Sequence, residues 1–245
     1  MVGPDDVSTS TGNGFLDRAP SDARDRLSDA ATMHELVEGE ILHEPGQAIE
    51  VIYLPTTGII SLLAVTESGS AVEAGLVGRE GFAGIPGVLG RDAPRNLQAM
   101  SQIAGQALAV ETKLVVEEMD ASAELASLVK AYLNAVWAET AQSVACNRLH
   151  SVNERCARWL LLVRDRLGRS EFRLTQEFLA MMLGIRRPSI SVAAEAMQEQ
   201  GLISYHRGDL KILDGDRLQD ASCECYAIIR AELDVALPGA LGAPI

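Results

Sequence analysis

Residues 175–203, TQEFLAMMLGIRRPSISVAAEAMQEQGLI, constrain the fold more than any other stretch of the chain. They predict two short helices joined by a tight turn. Thr175 is placed to cap the first helix, because a threonine side chain accepts a hydrogen bond from a free backbone N–H. Gly184 can end that helix because it adopts positive φ without strain. Pro188 suits the first turn of the second helix, where its missing N–H is not needed.

Each predicted helix has one apolar face. The first face consists of Phe178, Leu179, Met182 and Leu183, and the second of Ile190, Ala193, Ala194 and Met197. The next residues, 202–214, contain two short apolar runs around Arg207-Gly208-Asp209, which predicts a β-hairpin. Helix, turn, helix and hairpin form the outline of a winged helix-turn-helix.

The residues expected on the outer side of this unit are polar or basic. Candidate contacts to DNA are Thr175, Arg186, Arg187, Ser189, Ser191, His206 and Arg207. Arginine can bond O6 and N7 of guanine together, and serine suits base edges or phosphate. The start of the second helix is also where a recognition helix meets the major groove. An isolated Arg-Arg pair is more often a solvated surface feature, but its place in this outline favours a DNA contact.

The charge of the chain is unevenly distributed. The net charge is −13, yet residues 147–217 contain 12 Lys/Arg and 9 Asp/Glu, while the remainder contains 9 and 25. Phosphate binding depends on the local field rather than on whole-chain charge. The acidic total therefore does not exclude a nucleic-acid partner for this segment.

Upstream, residues 35–110 have a different pattern. Short β-prone runs such as residues 51–54, 59–63 and 72–77 alternate with turn residues, which predicts an all-β barrel or roll. A long helix should follow, capped by Asp120 or Ser122 and ending near His150. A capping box at residues 151–154 then starts a new helix and makes this point a natural hinge.

One face of the long helix has apolar residues at alternating four- and three-residue spacing: Leu125, Val129, Tyr132 and Val136. A seam of 3.5-residue period needs a partner, and a twofold dimer would supply a second copy of this helix. Packing of the same face against the chain's own β-roll is the alternative.

These segments resemble the Crp–Fnr (catabolite activator-type) family of bacterial transcription regulators. The resemblance is carried by the helix-turn-helix, by the run IYLPTTGIISLL, by GREGF at residues 78–82 and by QIAGQALAV. It implies an α+β fold: an N-terminal cyclic-nucleotide-binding-like β-roll (jelly roll), a long connecting dimer helix and a C-terminal winged helix-turn-helix. The expected divisions are a disordered tail (1–14), the roll (15–119), the dimer helix (120–150), the DNA-binding domain (151–226) and a C-terminal tail (227–245).

The resemblance also implies site residues. An arginine after the turn reads a base in this family, which corresponds to Arg187. Pro188 and Val192 stand where well-known members have Glu and a second Arg, so a different target sequence is expected. The corresponding effector cassette would use Gly78, Glu80, Gly81, Arg95 and Asn96.

The cassette departs from the family pattern. Arg79 stands where the family has Glu, and Asn96 follows Arg95 where the family has Ser or Thr. Cyclic AMP is therefore not expected as a ligand. Another small effector in the roll, or no ligand at all, remains open.

The expected partners are double-stranded DNA and a second copy of the chain, with RNA polymerase as a further candidate. No run approaches the roughly 20 apolar residues that cross a bilayer, and the N-terminus is acidic and polar, unlike a secretory signal. The expected location is the cytoplasm.

The cysteines and histidines suggest no metal site. Cys223 and Cys225 are one residue apart, which is not the usual two-residue spacing of structural zinc ligands. Buried, reduced thiols are expected there and at Cys146 and Cys156. The histidines are widely separated: His34, His43, His150 and His206. Neither a metal nor an iron–sulfur cluster is therefore expected.

Two functions remain. The favoured one is a non-enzymatic, sequence-specific DNA-binding regulator whose β-roll senses a signal or acts structurally. The rival is a ligand-sensing or scaffolding protein whose winged helix contacts other proteins. The residues do not name the promoter, the effector or the sign of regulation.

Overall fold

A computed structural model describes residues 10–242. Its N-terminal half is an antiparallel β-roll of two sheets, ordered β1-β7-β3 and β2-β6-β4-β5, formed by β1 (Thr32–Leu36), β2 (Ile41–His43), β3 (Val51–Pro55), β4 (Ile59–Val65), β5 (Ala71–Val77), β6 (Leu97–Ile103) and β7 (Gly105–Glu111). The predicted roll of short strands is confirmed.

Helices surround the roll and continue from it. They are a 3₁₀ turn (Leu16–Arg18), α1 (Ser21–Ala30), α2 (Ile85–Val88), α3 (Thr112–Ala121), α4 (Ala123–Leu149) and α5 (Val152–Leu167). The Ser122 hydroxyl accepts a hydrogen bond from the Leu125 N–H at 3.2 Å and caps α4. The capping box of Ser151 and Glu154 starts α5 as predicted, and Gly168 ends it with φ of 65°.

The C-terminal part has the predicted winged helix-turn-helix. Its elements are β8 (Glu171–Arg173), α6 (Gln176–Leu183), α7 (Arg187–Glu199), β9 (Ile203–His206), β10 (Asp209–Ile212), α8 (Gly215–Asp220) and α9 (Cys225–Ala236), with sheet order β8-β10-β9. One apolar core joins this unit to the roll, since Ile59 and Leu63 of β4 belong to the same cluster as Trp159 of α5 and Leu183 of α6.

A buried pair of salt bridges lies where the roll, α4 and α5 meet. The Arg166 guanidinium donates to Glu80 at 2.9 Å and to Glu139 at 2.6 Å. Arg166 and Glu80 are each only 1% exposed. Glu80 also accepts hydrogen bonds from the Gly78 N–H. Because a Cβ at Gly78 would lie 2.6 Å from the Arg166 Cβ, this close approach requires glycine.

The same loop also contacts α4 directly. The Tyr132 hydroxyl donates to the Phe82 carbonyl at 3.1 Å and accepts from the Phe82 N–H at 3.2 Å. A Cβ at Gly81 would come within 2.3 Å of the Tyr132 ring. The stretch GREGF therefore anchors two helices to the roll.

A second polar contact joins the roll to α5. The Trp159 indole N–H donates to Glu73 at 2.7 Å, and the Ser61 hydroxyl donates to the other carboxyl oxygen at 2.9 Å. Burial raises the pKa of Glu73 from its ordinary 4.5 to about 8, although both donors oppose the shift.

Both chain ends depart from the predicted tails. Residues 1–9 of the expected disordered segment lie outside the described residues. Its remainder is packed in the structure, because the Asn13 side chain is fully buried and donates to the carbonyls of Pro55 and Gly81, each at 2.9 Å.

At the other end, the expected tail contains most of α9. That helix packs antiparallel along α4 and is fixed to α5 by Arg230, which donates to Asp165 at 2.7 Å. Apolar residues of this segment, such as Leu233 and Leu237, are buried in the core. The prediction of a tail did not take these apolar residues into account. Among residues 10–242, no helix combines the length and the apolar composition needed to cross a bilayer.

Removing the Arg166 cation from the buried network should strongly lower the free energy of unfolding. Arg166→Met leaves two carboxyl groups buried without their partner, which costs about 3–5 kcal/mol in the free energy of unfolding. Urea denaturation at neutral pH measures this loss. The control is Arg217→Met, because Arg217 forms an exposed pair with Asp214 at 4.0 Å and should contribute less than about 1 kcal/mol. Equal effects of the two substitutions would contradict a central role for Arg166.

Stability should fall between about pH 4.5 and pH 8 because of Glu73. In this window the folded protein keeps the Glu73 proton while the unfolded chain releases it, so the unfolded state binds fewer protons as pH rises. Glu73→Gln cannot ionise and should make the pH dependence of the unfolding free energy shallower. Glu67→Gln, in the exposed β4–β5 turn, is the matched control. Identical slopes for wild type and Glu73→Gln would refute the assignment.

Candidate nucleic-acid interface

The helix-turn-helix is built from local signals that the sequence contains. The Thr175 hydroxyl accepts a hydrogen bond from the Phe178 N–H at 3.2 Å and caps α6. Gly184 ends that helix with φ of 62°, and Pro188 lies in the first turn of α7. The four residues predicted for the inner face of α7 are all buried: Ile190, Ala193, Ala194 and Met197. The opposite face is therefore free to meet a partner.

The basic residues lie at the exposed beginning of α7. Arg186 is its N-cap, Arg187 is its first residue, and Ser189 is also exposed. The Arg187 guanidinium lies 3.8 Å from the Glu177 carboxylate, and both side chains are more than half exposed. Because such an exposed pair contributes little, Arg187 can exchange it for a base edge at small cost.

Two other candidates have partners within the protein. The Ser191 hydroxyl donates to the Gln176 side chain at 2.7 Å, which joins α7 to α6. Thr175 is occupied as the cap described above, although it is exposed. Ser191 therefore joins the two helices and Thr175 starts α6, so both residues have a structural role beside any DNA contact.

The predicted hairpin is β9, a two-residue turn and β10. Arg207 and Gly208 form the turn with φ of 52° and 91°, the left-handed conformation that such tight hairpins use. His206 and Arg207 are exposed at the tip. Both can therefore approach a phosphate backbone.

Sequence reasoning missed further cations on the sheet beside this tip. A shallow groove of about 440 Å³ is lined by Arg169, Arg173, His206 and Lys211, together with Glu171 and Asp209. The polar residues of β8 and β10 alternate with buried Phe172 and Leu210. The two-residue alternation of polar and apolar residues could have predicted this groove, because it places the charged side chains on one face of the sheet.

The predicted effector residues lie apart from the cavity of the roll, and three of them contact α4 or α5. Glu80 is bound to Arg166, while Gly78 and Gly81 are pressed against Arg166 and Tyr132. Arg95 and Asn96 are exposed and do not line the cavity of the roll. Close helix packing therefore occupies the glycines and the carboxylate that a phosphate and a ribose would need, which argues against this predicted cassette.

The roll nevertheless contains a cavity of about 220 Å³. Its walls are mostly aliphatic, and two of its residues, Val136 and Thr140, come from α4. Its polar side chains are already bonded, since His43 donates from Nε2 to the Val51 carbonyl at 2.8 Å and Thr140 donates to the Val136 carbonyl at 2.8 Å. Burial lowers the pKa of His43, which favours a neutral ring. This cavity suits an uncharged molecule.

The predicted dimer seam faces inward. Leu125 and Val129 are fully buried, and Tyr132 is 1% exposed, because all three belong to the core between α4 and the roll. Val136 is half-buried beside them and lines the cavity. The seam therefore packs within the chain itself, against the roll, the N-terminal segment and α9. The apolar residues that remain open on α4 lie elsewhere: Trp137 is 76% exposed and Val144 is 70% exposed.

Four potential metal ligands converge although they are scattered in the sequence. Cys146, His150, Cys223 and Cys225 bring their ligand atoms within 4.8 Å of one another. The prediction of thiols unrelated to a metal site overlooked one signal. Cys146 and His150 are four residues apart at the end of a helix, which places them on the same face.

Comparison with known proteins agrees with this architecture. Residues 154–221 match the family model of the Crp-like helix-turn-helix domain. By sequence, no curated protein matches the chain.

Solved structures match over most of the chain. FixK2 from Bradyrhizobium japonicum is 15% identical with a TM-score of 0.66 over 79% of this chain and 98% of its own. The c-di-GMP-responsive global regulator CLP of Xanthomonas campestris is 14% identical with a TM-score of 0.63 over 80% and 100%. A Crp/Fnr-family transcriptional regulator from Thermus thermophilus is 20% identical with a TM-score of 0.59 over 78% and 98%.

The family model covers the segment that contains α5, α6, α7 and the wing, and the structural matches extend through the β-roll and α4. The helix-turn-helix of this protein therefore matches the Crp-like helix-turn-helix domain, and the chain as a whole shares the fold of these solved Crp/Fnr-type structures.

Proposed function

We propose that this protein is a sequence-specific DNA-binding transcription regulator that places α7 in the major groove. The observation that carries the proposal is the exposed beginning of α7, where Arg186, Arg187 and Ser189 lie together in a Crp-like helix-turn-helix domain. Arg187 supplies the fork that pairs with guanine, while Arg207 at the hairpin tip contacts phosphate. The proposal includes no catalysis, and it places the protein in the cytoplasm, where its DNA target lies.

Charge distribution supports this orientation. The segment of residues 147–217 is net basic within an otherwise acidic chain, and several of its cations are exposed on α7, the hairpin tip and the wing sheet. An acidic remainder repels phosphate. Binding is therefore directed to this basic surface and should weaken as salt rises.

The proposed regulator is a homodimer that reads two half-sites. Exposed residues recur along α4 at alternating four- and three-residue spacing: Lys130, Asn134, Trp137, Ala141, Val144 and Arg148. This spacing is the 3.5-residue period of a helix that pairs with a second helix. Trp137, Ala141 and Val144 would form the apolar centre of the contact, on the side of α4 opposite the predicted seam.

The proposed signal is an uncharged, mostly apolar small molecule in the cavity of the roll. The cavity offers neither the carboxylate for a ribose nor the cation for a phosphate, so cyclic AMP remains an unsuitable ligand. A bound molecule would touch Val136 and Thr140 of α4, next to Glu139, which binds Arg166. The cavity is thus in direct contact with the helix that would form the dimer.

The rival function is a scaffold whose winged helix contacts proteins. A gel-shift assay on genomic fragments at several salt concentrations separates the two. A DNA-binding regulator shifts selected fragments with an affinity that falls steeply with salt, whereas a protein-contact module gives no shift.

Arg187 and Arg207 should have separable effects on DNA binding. Arg187→Ala should weaken the preferred site by about 1–3 kcal/mol and relax preference at one base pair, because it removes a base contact. Arg207→Asn should weaken binding to all sequences and make the salt slope shallower. Asparagine is chosen because it tolerates the positive φ of that turn. Fluorescence anisotropy with a selected duplex and scrambled competitors measures both quantities.

Arg24→Ala is the control for this experiment, because Arg24 lies on α1, outside the proposed interface. It should leave affinity and sequence preference unchanged. If folded Arg187→Ala keeps the full preference of the wild type, base reading lies elsewhere on the domain.

The exposed face of α4 should control assembly. Wild-type protein at micromolar concentration should give the mass of a dimer by light scattering. Trp137→Glu or Val144→Glu should give a monomer, because each places a charge at the centre of the contact. Val37→Glu, at an exposed valine of the β1–β2 turn, should remain dimeric. A wild-type monomer with intact helices by circular dichroism contradicts the dimer, and a dimer that survives both α4 substitutions contradicts this surface.

A further inference from the structure

Three thiols and one imidazole meet at the junction of α4, α5 and α9. Cys146 lies in the last turn of α4, His150 follows that helix, and Cys223 and Cys225 lie at the start of α9. The Cys146 and Cys223 sulfurs are 3.5 Å apart, and the Cys225 sulfur is 3.5 Å from Nδ1 of His150. All four ligand atoms lie within 4.8 Å of one another.

We propose that this cluster is a structural zinc site with three cysteine ligands and one histidine ligand. Three thiolates and one imidazole are a ligand set that structural zinc uses. With Zn–S bonds of about 2.3 Å and Zn–N bonds of about 2.0–2.1 Å, a tetrahedron places its ligand atoms roughly 3.5–3.8 Å apart. Two of the separations are 3.5 Å and all lie within 4.8 Å, so one ion can be bound after side-chain adjustments that draw the ligands together.

The surroundings of the histidine match those of a metal ligand. Nδ1 of His150 faces the sulfurs, while Nε2 lies 3.2 Å from the Glu224 carboxylate on the opposite side of the ring. A carboxylate in that position fixes the tautomer whose free nitrogen faces the metal. The Gln142 amide also donates to the Cys225 sulfur at 3.1 Å, a contact that suits a thiolate acceptor.

Two buried arginines supply an independent argument from charge. Zinc with three thiolates has a net charge of −1, which a buried site must have compensated. Arg158 donates to the Ser143 hydroxyl at 3.4 Å, one turn before Cys146, and Arg155 is buried one turn before Arg158 on α5. Within the described part of the chain, the Nε atoms of both arginines are buried without a hydrogen-bond partner. A negatively charged zinc centre would balance these cations.

Zinc explains the cluster better than two other uses of cysteine. A Cys146–Cys223 disulfide would employ two of the four groups and leave the contact of Cys225 with His150 without a role. An iron–sulfur cluster contains several iron atoms and sulfides, and its protein ligands must stand further apart than those of a single ion. Four mutually close ligand atoms are the arrangement for one ion.

The position of the site indicates what the ion does. It joins the end of α4 to the start of α9, immediately before the capping box at Ser151 that starts α5. A bound ion therefore restrains the point at which the chain passes from the long helix to the helix-turn-helix. The ion stabilises the folded state because the unfolded chain does not hold the four ligands together.

The metal content of the purified full-length protein tests the proposal without reference to DNA binding. Elemental mass spectrometry should find one zinc ion per chain in the wild type and a strongly reduced amount in Cys146→Ser and Cys223→Ser. Cys156→Ser is the matched control, because Cys156 is equally buried but lies outside the cluster, in the core of the DNA-binding unit. Wild-type protein without zinc, or cluster variants that retain one ion per chain, would overturn the proposal.

Cobalt substitution protects the test against variants that fail to fold. Wild-type protein reconstituted with Co²⁺ should show thiolate-to-cobalt charge transfer and the intense visible bands of a tetrahedral ion. His150→Cys keeps four ligands and should bind Co²⁺ with a shifted spectrum, whereas His150→Ala should bind more weakly. A Cys146–Cys223 disulfide in the intact mass of freshly purified protein, or an octahedral cobalt spectrum, would exclude the site. Because neither measurement involves DNA, a failed DNA-binding proposal would leave this one standing.

Discussion

The two salt bridges of Arg166 hold together the parts of this protein that must act together. Arg166 comes from α5, Glu139 from α4 and Glu80 from the loop after β5, and all three are buried. Burying such charges is favourable only when each finds its partner, so the three segments cannot separate without exposing an uncompensated group. Gly78 and Gly81 allow this close approach because neither has a Cβ.

This arrangement links the cavity of the roll to the helix-turn-helix unit through nearby residues of one helix. Val136 and Thr140 line the cavity, while Glu139 between them binds Arg166 near the end of α5. On the opposite face of the sheet, the Glu73 carboxyl group accepts a hydrogen bond from the Trp159 indole of α5. A ligand that displaced α4 would therefore strain contacts made by α5, whose apolar face belongs to the core of the helix-turn-helix. The proposed zinc site restrains the other end of the same junction.

Sequence patterns predicted the elements well where short-range chemistry decides. Thr175, Gly184 and the capping box at Ser151 act through hydrogen bonds and backbone angles within a few residues, and each appears in its expected role. The β-roll and the inner face of α7 followed equally from periodicity. The predicted seam on α4 has the expected period and is buried within the chain itself, which is the alternative that the sequence leaves open. An apolar stripe indicates that a face is buried but not what buries it. The sequence of the GREGF loop similarly predicts an effector site. Glycines allow the backbone to come close to a phosphate, but they allow it to come equally close to a helix.

The helix-turn-helix, the roll, the caps and the exposed arginines of α7 follow from the order of the residues, because these features depend on local propensity and on alternating polarity. Contacts between groups that are far apart in the chain become visible only once the chain is folded. Glu80 lies 86 residues from Arg166, and Cys146 lies 77 residues from Cys223. Such pairs leave no periodic signal, since their proximity depends on how whole helices pack against the roll. For the same reason, only the folded chain distinguished the buried face of α4 from the face left open for a partner.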